Sequence, residues 1–216
     1  MNQNSRLGKQ GSRAVRFLKD TAGAAMTEFA LLAPILILMT LGTFEVARAV
    51  SVHKRLQRAT DMVADLVARE QSLGDTQAEV VATLNGIMRS AEQSMFPYNI
   101  VPMRMAIYSI RANNPPTGAP TTSVEWSYGY NNAPHAQCPA QRNLPQAGMV
   151  LAGNAVVMVE SQYDYRPALN YGGAGSTFFD GNQLQRTFTD TIVYSPRNTC
   201  VDVLKKNCVA SCSVIN

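Results

Sequence analysis

Two carboxylates, four cysteines and two histidines are the residues of this 216-residue chain whose types and spacing could do chemistry. Glu28 stands at the mouth of Phe29–Phe44, a run without a single charge, and an ionisable group in such a place needs a partner or a task. Glu45 closes the run seventeen positions later. On a helix that spacing is about 25 Å, too far for the two carboxylates to act as an acid–base pair within one chain. Cys138, Cys200, Cys208 and Cys212 all follow the run, as in a domain that folds in an oxidising compartment, and four cysteines allow three disulfide pairings. A zinc site is disfavoured, because Cys208-x3-Cys212 has no second pair upstream and His53 and His135 are isolated. His53 lies among Lys54, Arg55 and Arg58 and is expected to be solvated or to meet lipid headgroups. There is no nucleophile elbow, no His-Glu-x-x-His and no phosphate-cradling loop, and Gly172-Gly-Ala-Gly175 reads as a flexible loop. No enzyme, cofactor or metal is expected.

The elements that must position these residues begin with the run itself. With Gly23–Met26 it reaches about twenty residues, enough to cross a bilayer, and a buried core helix is rarely uncharged around its whole circumference. Pro34 is tolerable in a spanning helix. A cleaved secretory signal fits poorly. The apolar stretch is too long, an acid sits at its mouth, and Gly42-Thr-Phe-Glu-Val-Ala-Arg48 continues a helical pattern where a small-x-small site should be. The chain is 46% hydrophobic and 16% charged, which suits one ordinary domain. Its 19 bases exceed its 15 acids only through the leader, where Arg6, Lys9, Arg13, Arg16 and Lys19 face Asp20 alone. The remainder is balanced, so no nucleic-acid partner is expected. Arg48, Lys54, Arg55 and Arg58 beyond the run offset the leader's charge, and charge counting leaves the membrane orientation open.

A basic leader, Gly23, a glutamate five places on at Glu28 and an apolar helix together resemble a type IV prepilin signal. The peptidase of that system cuts on the cytoplasmic side, here between Gly23 and Ala24, and leaves the helix in the protein. The new amine on Ala24 would then pair with Glu28 of a neighbouring subunit. More widely, Gly23-Ala-Ala-Met-Thr-Glu-Phe-Ala-Leu-Leu-Ala-Pro34 and Phe44-Glu-Val-Ala-Arg48 resemble the start of the TadE/TadG-like proteins. The resemblance resumes at Val124-Glu-Trp-Ser127, Val159-Glu-Ser-Gln-Tyr-Asp-Tyr-Arg-Pro167 and Tyr194-Ser-Pro-Arg197. It implies a pseudopilin or minor pilin of a tight-adherence (Tad, type IVc) pilus. Such a protein is held in the bacterial inner membrane, N-terminus cytoplasmic and C-terminal domain periplasmic, with prepilin peptidase, other pilins and inner-membrane assembly proteins as partners. Two rivals are an uncleaved single-pass scaffold of the assembly machinery and a pilus-associated adhesin.

After the run, Val52, Leu56, Ala59, Val63 and Leu66 draw one apolar stripe along a helix, with Arg58/Asp61 and Asp65/Arg69 as charge pairs on its other side. Leu73-Gly74 is a stop signal. Thr76-Gln-Ala-Glu79 has capping-box spacing and opens a second helix with Val80, Leu84, Ile87 and Met88 on one face, ended by Pro97. Beyond it the apolar period becomes two, giving strands at 101–111, 123–130, 154–165 and 184–195. The links lack a helical pattern, so an antiparallel four-stranded meander is expected. On the last strand Leu184, Phe188, Ile192 and Tyr194 share parity with Arg186 and Asp190, which suits an edge. Trp126, Tyr128, Tyr130, Tyr163 and Tyr165 are expected to pack internally. The loops 131–153 and 169–181 are the expected variable surfaces. The fold class is therefore α+β and pilin-like, a long N-terminal transmembrane and stalk helix packed on an antiparallel four-stranded sheet. Its divisions are a basic cytoplasmic leader (1–23), the transmembrane helix (24–45), a stalk and second helix (46–96) and a periplasmic β domain (97–216).

Overall fold

In a computed structural model, residues 21–113, 121–146, 148–167, 185–208 and 212–215 are described. They divide into two units, Met1–Arg48 and Ala49–Asn216. Helix α1 runs over Thr21–Arg69 and helix α2 over Gln77–Met95. The strands are β1 (Met103–Asn113), β2 (Thr121–Tyr130), β3 (Ala155–Tyr165), β4 (Arg186–Tyr194) and the short β5 (Ser213–Val214). This is the expected α+β architecture of a long apolar N-terminal helix and an antiparallel four-stranded sheet, with β5 added.

In the second unit, Val52, Leu56, Ala59, Val63 and Val67 of α1 are fully buried against the sheet. The stripe passes through Val67, while Leu66 is only half-buried, because a 3.6-residue period carries the inward face past position 66. Thr60 shares that face; its hydroxyl donates to the Leu56 carbonyl (2.8 Å) and meets Ser161 Oγ at 2.6 Å, so the one polar group in the stripe is satisfied. Asp65 and Arg69 form their ion pair at 2.6 Å. Arg58 and Asp61 do not pair. Asp61 lies near Asp190 of β4, and burial, together with that like charge, pushes its carboxyl up from the ordinary range.

The Thr76–Glu79 capping box forms, with the Glu79 N–H donating to Thr76 Oγ1 (3.3 Å) and the Thr76 N–H to Glu79 Oε2 (3.2 Å). A Cβ on Gly74 would lie 2.7 Å from Glu79 Cβ, so the turn into α2 admits only glycine. Val80, Leu84, Met88, Ala91 and Met95 bury one face of α2, with Ile87 partly packed beside them. The aromatic stripe of β2 meets this helix. Tyr128 donates to Asn85 Oδ1 (2.8 Å), Tyr130 donates to Glu92, and the Trp126 indole donates to the Val201 carbonyl (3.3 Å). Burial and the Glu92 carboxylate push the Tyr130 phenol up to about 12. Tyr163 and Tyr165 are buried as well.

The sheet order is β4-β3-β1-β2-β5, which corrects the expected meander. A meander would put β3 beside β2. Instead both β2 and β3 pair antiparallel with β1, and β5 pairs parallel with β2 through Trp126↔Ser213 and Ser127↔Val214. The physical reason is the β2–β3 connection, which is long enough to cross β1 and has a core of its own to cover. Ala133, Ala136, Cys138, Leu144 and Val150 from that connection pack on Ala106, Tyr108, Ile110, Val124, Val156 and Met158, the sheet face opposite the helices. β1 is accordingly buried on both faces. Among the described residues β4 pairs only with β3 and stands at the edge, with Phe188, Ile192 and Tyr194 turned to the core.

The cysteines pair as Cys138–Cys212 and Cys200–Cys208. Between them sits a buried ion pair. Arg111 donates to Glu125, to the Gly153 carbonyl and to the Cys208 carbonyl (3.0 Å), and Ser109 donates to Glu125 Oε2 at 3.0 Å.

Two outcomes are expected. Cys138 and Cys212 are 74 positions apart and Cys200 and Cys208 only 8. In the loop-closure account, replacing the first pair by serine costs about 4 kcal/mol and the second about 2 kcal/mol, measured by denaturant unfolding. For Asp61, a folded-state value raised above the unfolded one means stability present below the unfolded value and lost as pH rises through the raised one. Asp61→Asn should raise Tm at pH 7 and leave it unchanged near pH 3.

Candidate functional site

The candidate site is the N-terminal part of α1. Residues around Gly23, Ala24 and Ala25 are small, the following leucines and methionines are good helix formers, and α1 continues through them without a break. Pro34 lies inside the helix, where it supplies no N–H to the Ala30 carbonyl. The two hydroxyls further along are internally satisfied. Thr40 Oγ1 donates to Leu36 O and Thr43 Oγ1 to Met39 O, each at 2.8 Å, so neither requires water.

What distinguishes the segment is that it has no inside. Ile35, Leu36, Ile37, Leu38 and Met39 are between 54% and 67% exposed. Five successive residues at 100° each face every side of the helix, so no rotation would bury them against one surface. One window of this helix has mean hydropathy 2.0, with none of it buried, and qualifies by length and composition as a candidate membrane span.

Glu28 lies near the start of this stretch, exposed, with no ion pair among the described residues. A Cβ on Gly23 would meet nothing within 4 Å, and the same holds for Gly42. Glycine at these two positions is therefore not required by packing within the chain, although a helix-interior glycine costs about 1 kcal/mol relative to alanine. Gly23 and Ala24, the residues flanking the expected cut, fall within the helical range that begins at Thr21. The leader before Thr21 lies outside the described residues.

The other residues singled out by sequence lie in the second unit. The His53 ring packs on Phe188, 5.2 Å between centroids and tilted by 47°, with Nδ1 buried and without a hydrogen-bond partner among the described residues. This differs from the expected solvated histidine, because position 53 follows Val52 toward the buried side of α1. His135 Nδ1 lies 3.0 Å from the Ala133 carbonyl, over Gly129, where a Cβ would stand 2.6 Å from that same oxygen. No group of three or more His, Cys, Asp or Glu side chains converges among the described residues. Loop 131–153 is an anchored cover for the second core, so part of this expected variable surface is interior. Loop 169–181, Gly172–Gly175 and the Leu184 end of the fourth strand lie outside the described residues. Sequence reasoning missed the Arg111–Glu125 pair, whose only local signal was a base near the end of β1 and the single acid of β2.

Compared with known proteins, residues 23–65 match the family described as TadE-like protein, and this segment is TadE-like. The match begins at Gly23 and ends within the buried stripe of α1, short of the segments at 124–127, 159–167 and 194–197. No curated protein and no solved structure matches the chain.

A charge placed in the middle of the exposed stretch is the direct test of its solvent. Leu36→Arg should disfavour membrane insertion by about 3 kcal/mol, read as a loss of the carbonate-resistant fraction, with the second unit still folded.

Proposed function

We propose that this chain is a non-enzymatic minor pilin or pseudopilin that acts in the assembly or initiation of a Tad adhesive pilus. The single observation that carries the reading is that the TadE-like match, residues 23–65, takes in the whole exposed apolar stretch from Met26 to Phe44. In this reading α1 crosses the bacterial inner membrane with the leader in the cytoplasm and the disulfide-bearing unit in the periplasm, where thiols are oxidised. A prepilin peptidase removes the leader at Gly23–Ala24. The open space beside Gly23 supports recognition from outside the chain, since no internal contact accounts for the missing side chain. The Ala24 amine of one subunit then neutralises Glu28 of the next, which removes the cost of a carboxylate at the membrane and sets the register between helices. Other pilins and inner-membrane assembly proteins are the partners.

One observation favours a second reading, an uncleaved scaffold of the assembly machinery. Gly23 and Ala24 both lie within α1, so the scissile bond is in helical backbone and its cleavage requires the helix to unwind there.

Intact mass and N-terminal sequencing of the membrane-extracted protein, expressed with and without a cognate peptidase, separate the two. A chain starting at Ala24 only when the peptidase is present is expected; a start at Met1 in both preparations establishes the scaffold. Glu28→Ala is expected to be processed normally and to lose pilus assembly, and intact pili from that variant would end the pairing mechanism.

A further inference from the structure

The turn from α2 into β1 holds two large apolar side chains in the open, Phe96 at 76% exposure and Val101 at 73%. The turn that carries them is tied down from several directions. Arg55 of α1 donates to the carbonyls of Ser94 (3.2 Å) and Phe96 (2.6 Å) and lies over the Tyr98 ring at 5.8 Å. The Tyr163 hydroxyl donates to Asn99 O at 2.9 Å, and the Asn131 amide to Val101 O and Met103 O at 2.8 Å each. Within the turn, the Val101 N–H donates to Asn99 Oδ1 (3.0 Å) and the Met103 N–H to Ile100 O (2.8 Å). Tyr98 and Ile100 pack on the core while Phe96 and Val101 stay outside it. Apolar groups so fixed lose little conformational entropy on entering an apolar phase.

The place of the turn within the second unit says which phase. Ala49, the first residue of that unit, packs on the same core, and His53 and Arg55 fix this part of α1 beside Phe188 and Phe96. β1 starts here at Met103, and Tyr165 pairs with Arg186 here. Ala49 follows Phe44, the last residue of the uncharged run, by five positions. Those five residues are at most about 17 Å of chain even fully extended, a short tether between a span closing at Phe44 and Ala49. Its charge is also suitable. Lys54, Arg55, Arg104, Arg166 and Arg186 stand at this end against Asp164, which pairs with Arg104 at 2.7 Å, while Arg89 and Glu92 of α2 offset each other.

We propose that the 96–102 turn docks into the anionic headgroup layer of the bilayer that α1 crosses, with Phe96 and Val101 as its apolar wedge and the surrounding bases on lipid phosphates. This rests on the membrane-span reading of α1. It gives the second unit its own contact with the lipid surface, independent of any other subunit.

The test uses the full chain in vesicles of phosphatidylcholine and phosphatidylglycerol with brominated acyl chains. The single tryptophan, Trp126, is buried and serves as the background. Phe96→Trp and Leu38→Trp are expected to be quenched at least twofold more than the wild type. Leu151→Trp should not be, since Leu151 is 74% exposed but lies beside the Ala112 end of β1, opposite the turn. Omitting the anionic lipid should reduce Phe96→Trp quenching at least twofold. If Leu38→Trp is quenched and Phe96→Trp matches Leu151→Trp, the docking fails and the span stands; if Leu38→Trp is not quenched, both fail. A Phe96→Trp shielded from brominated lipid and from aqueous acrylamide alike would place a protein neighbour on the turn and also overturn the proposal.

Discussion

A guanidinium taken out of water must have its charge and its donors answered, and Arg111 imposes that condition on three separate pieces of chain. Glu125 on the neighbouring strand supplies the charge, while the Gly153 and Cys208 carbonyls, distant in sequence, accept the remaining donors. The loop before β3 and the C-terminal segment are therefore held to the same end of β1. The two disulfides reinforce the arrangement covalently, one closing the C-terminal segment on itself and one binding it to the loop that covers the second core. A buried charge or a buried N–H donor would be left unanswered wherever any of these pieces came away, so this end of the domain holds together as a unit.

Helix α1 carries two kinds of surface on one secondary structure. From Val52 onward its apolar residues recur at spacings of three and four and are buried in protein. Between Phe29 and Phe44 they fall on every side of the helix and are exposed there. The backbone is the same in both stretches; only the periodicity of the side chains differs, and that periodicity specifies whether the helix seeks a surface or an apolar medium.

The same periodicity explains what was legible from sequence. The long apolar helix, the buried stripe, the capping box and the four principal strands are local patterns, and each lies within a few residues of its place in the sequence pattern. The strand order was not legible, because pairing depends on where a long connection goes. Residues 131–153, rich in Pro, Gly and Asn, look like surface, yet Ala133, Leu144 and Val150 cover a second core. Single apolar residues scattered through a polar loop carry no period by which to find them. β5 was missed for a related reason, since two residues are too few to show alternation. At the candidate site, Glu28 and Gly23 were conspicuous because each is anomalous for its helix. The Arg111–Glu125 pair was invisible, because its partners meet only through the β1–β2 register.

The pairing of β5 with β2 has a consequence for the order in which the molecule matures. Trp126 and Ser127 face their partners only after residues 213 and 214 have been made, and Cys138 waits equally long for Cys212. Until then part of β2 presents free N–H and C=O groups and one thiol is unpaired, the condition in which strands join the wrong neighbour. The nascent domain thus passes through a vulnerable interval set by the rate of chain delivery. A holding factor or an oxidant at the site of emergence would act during that interval and have little to do afterward.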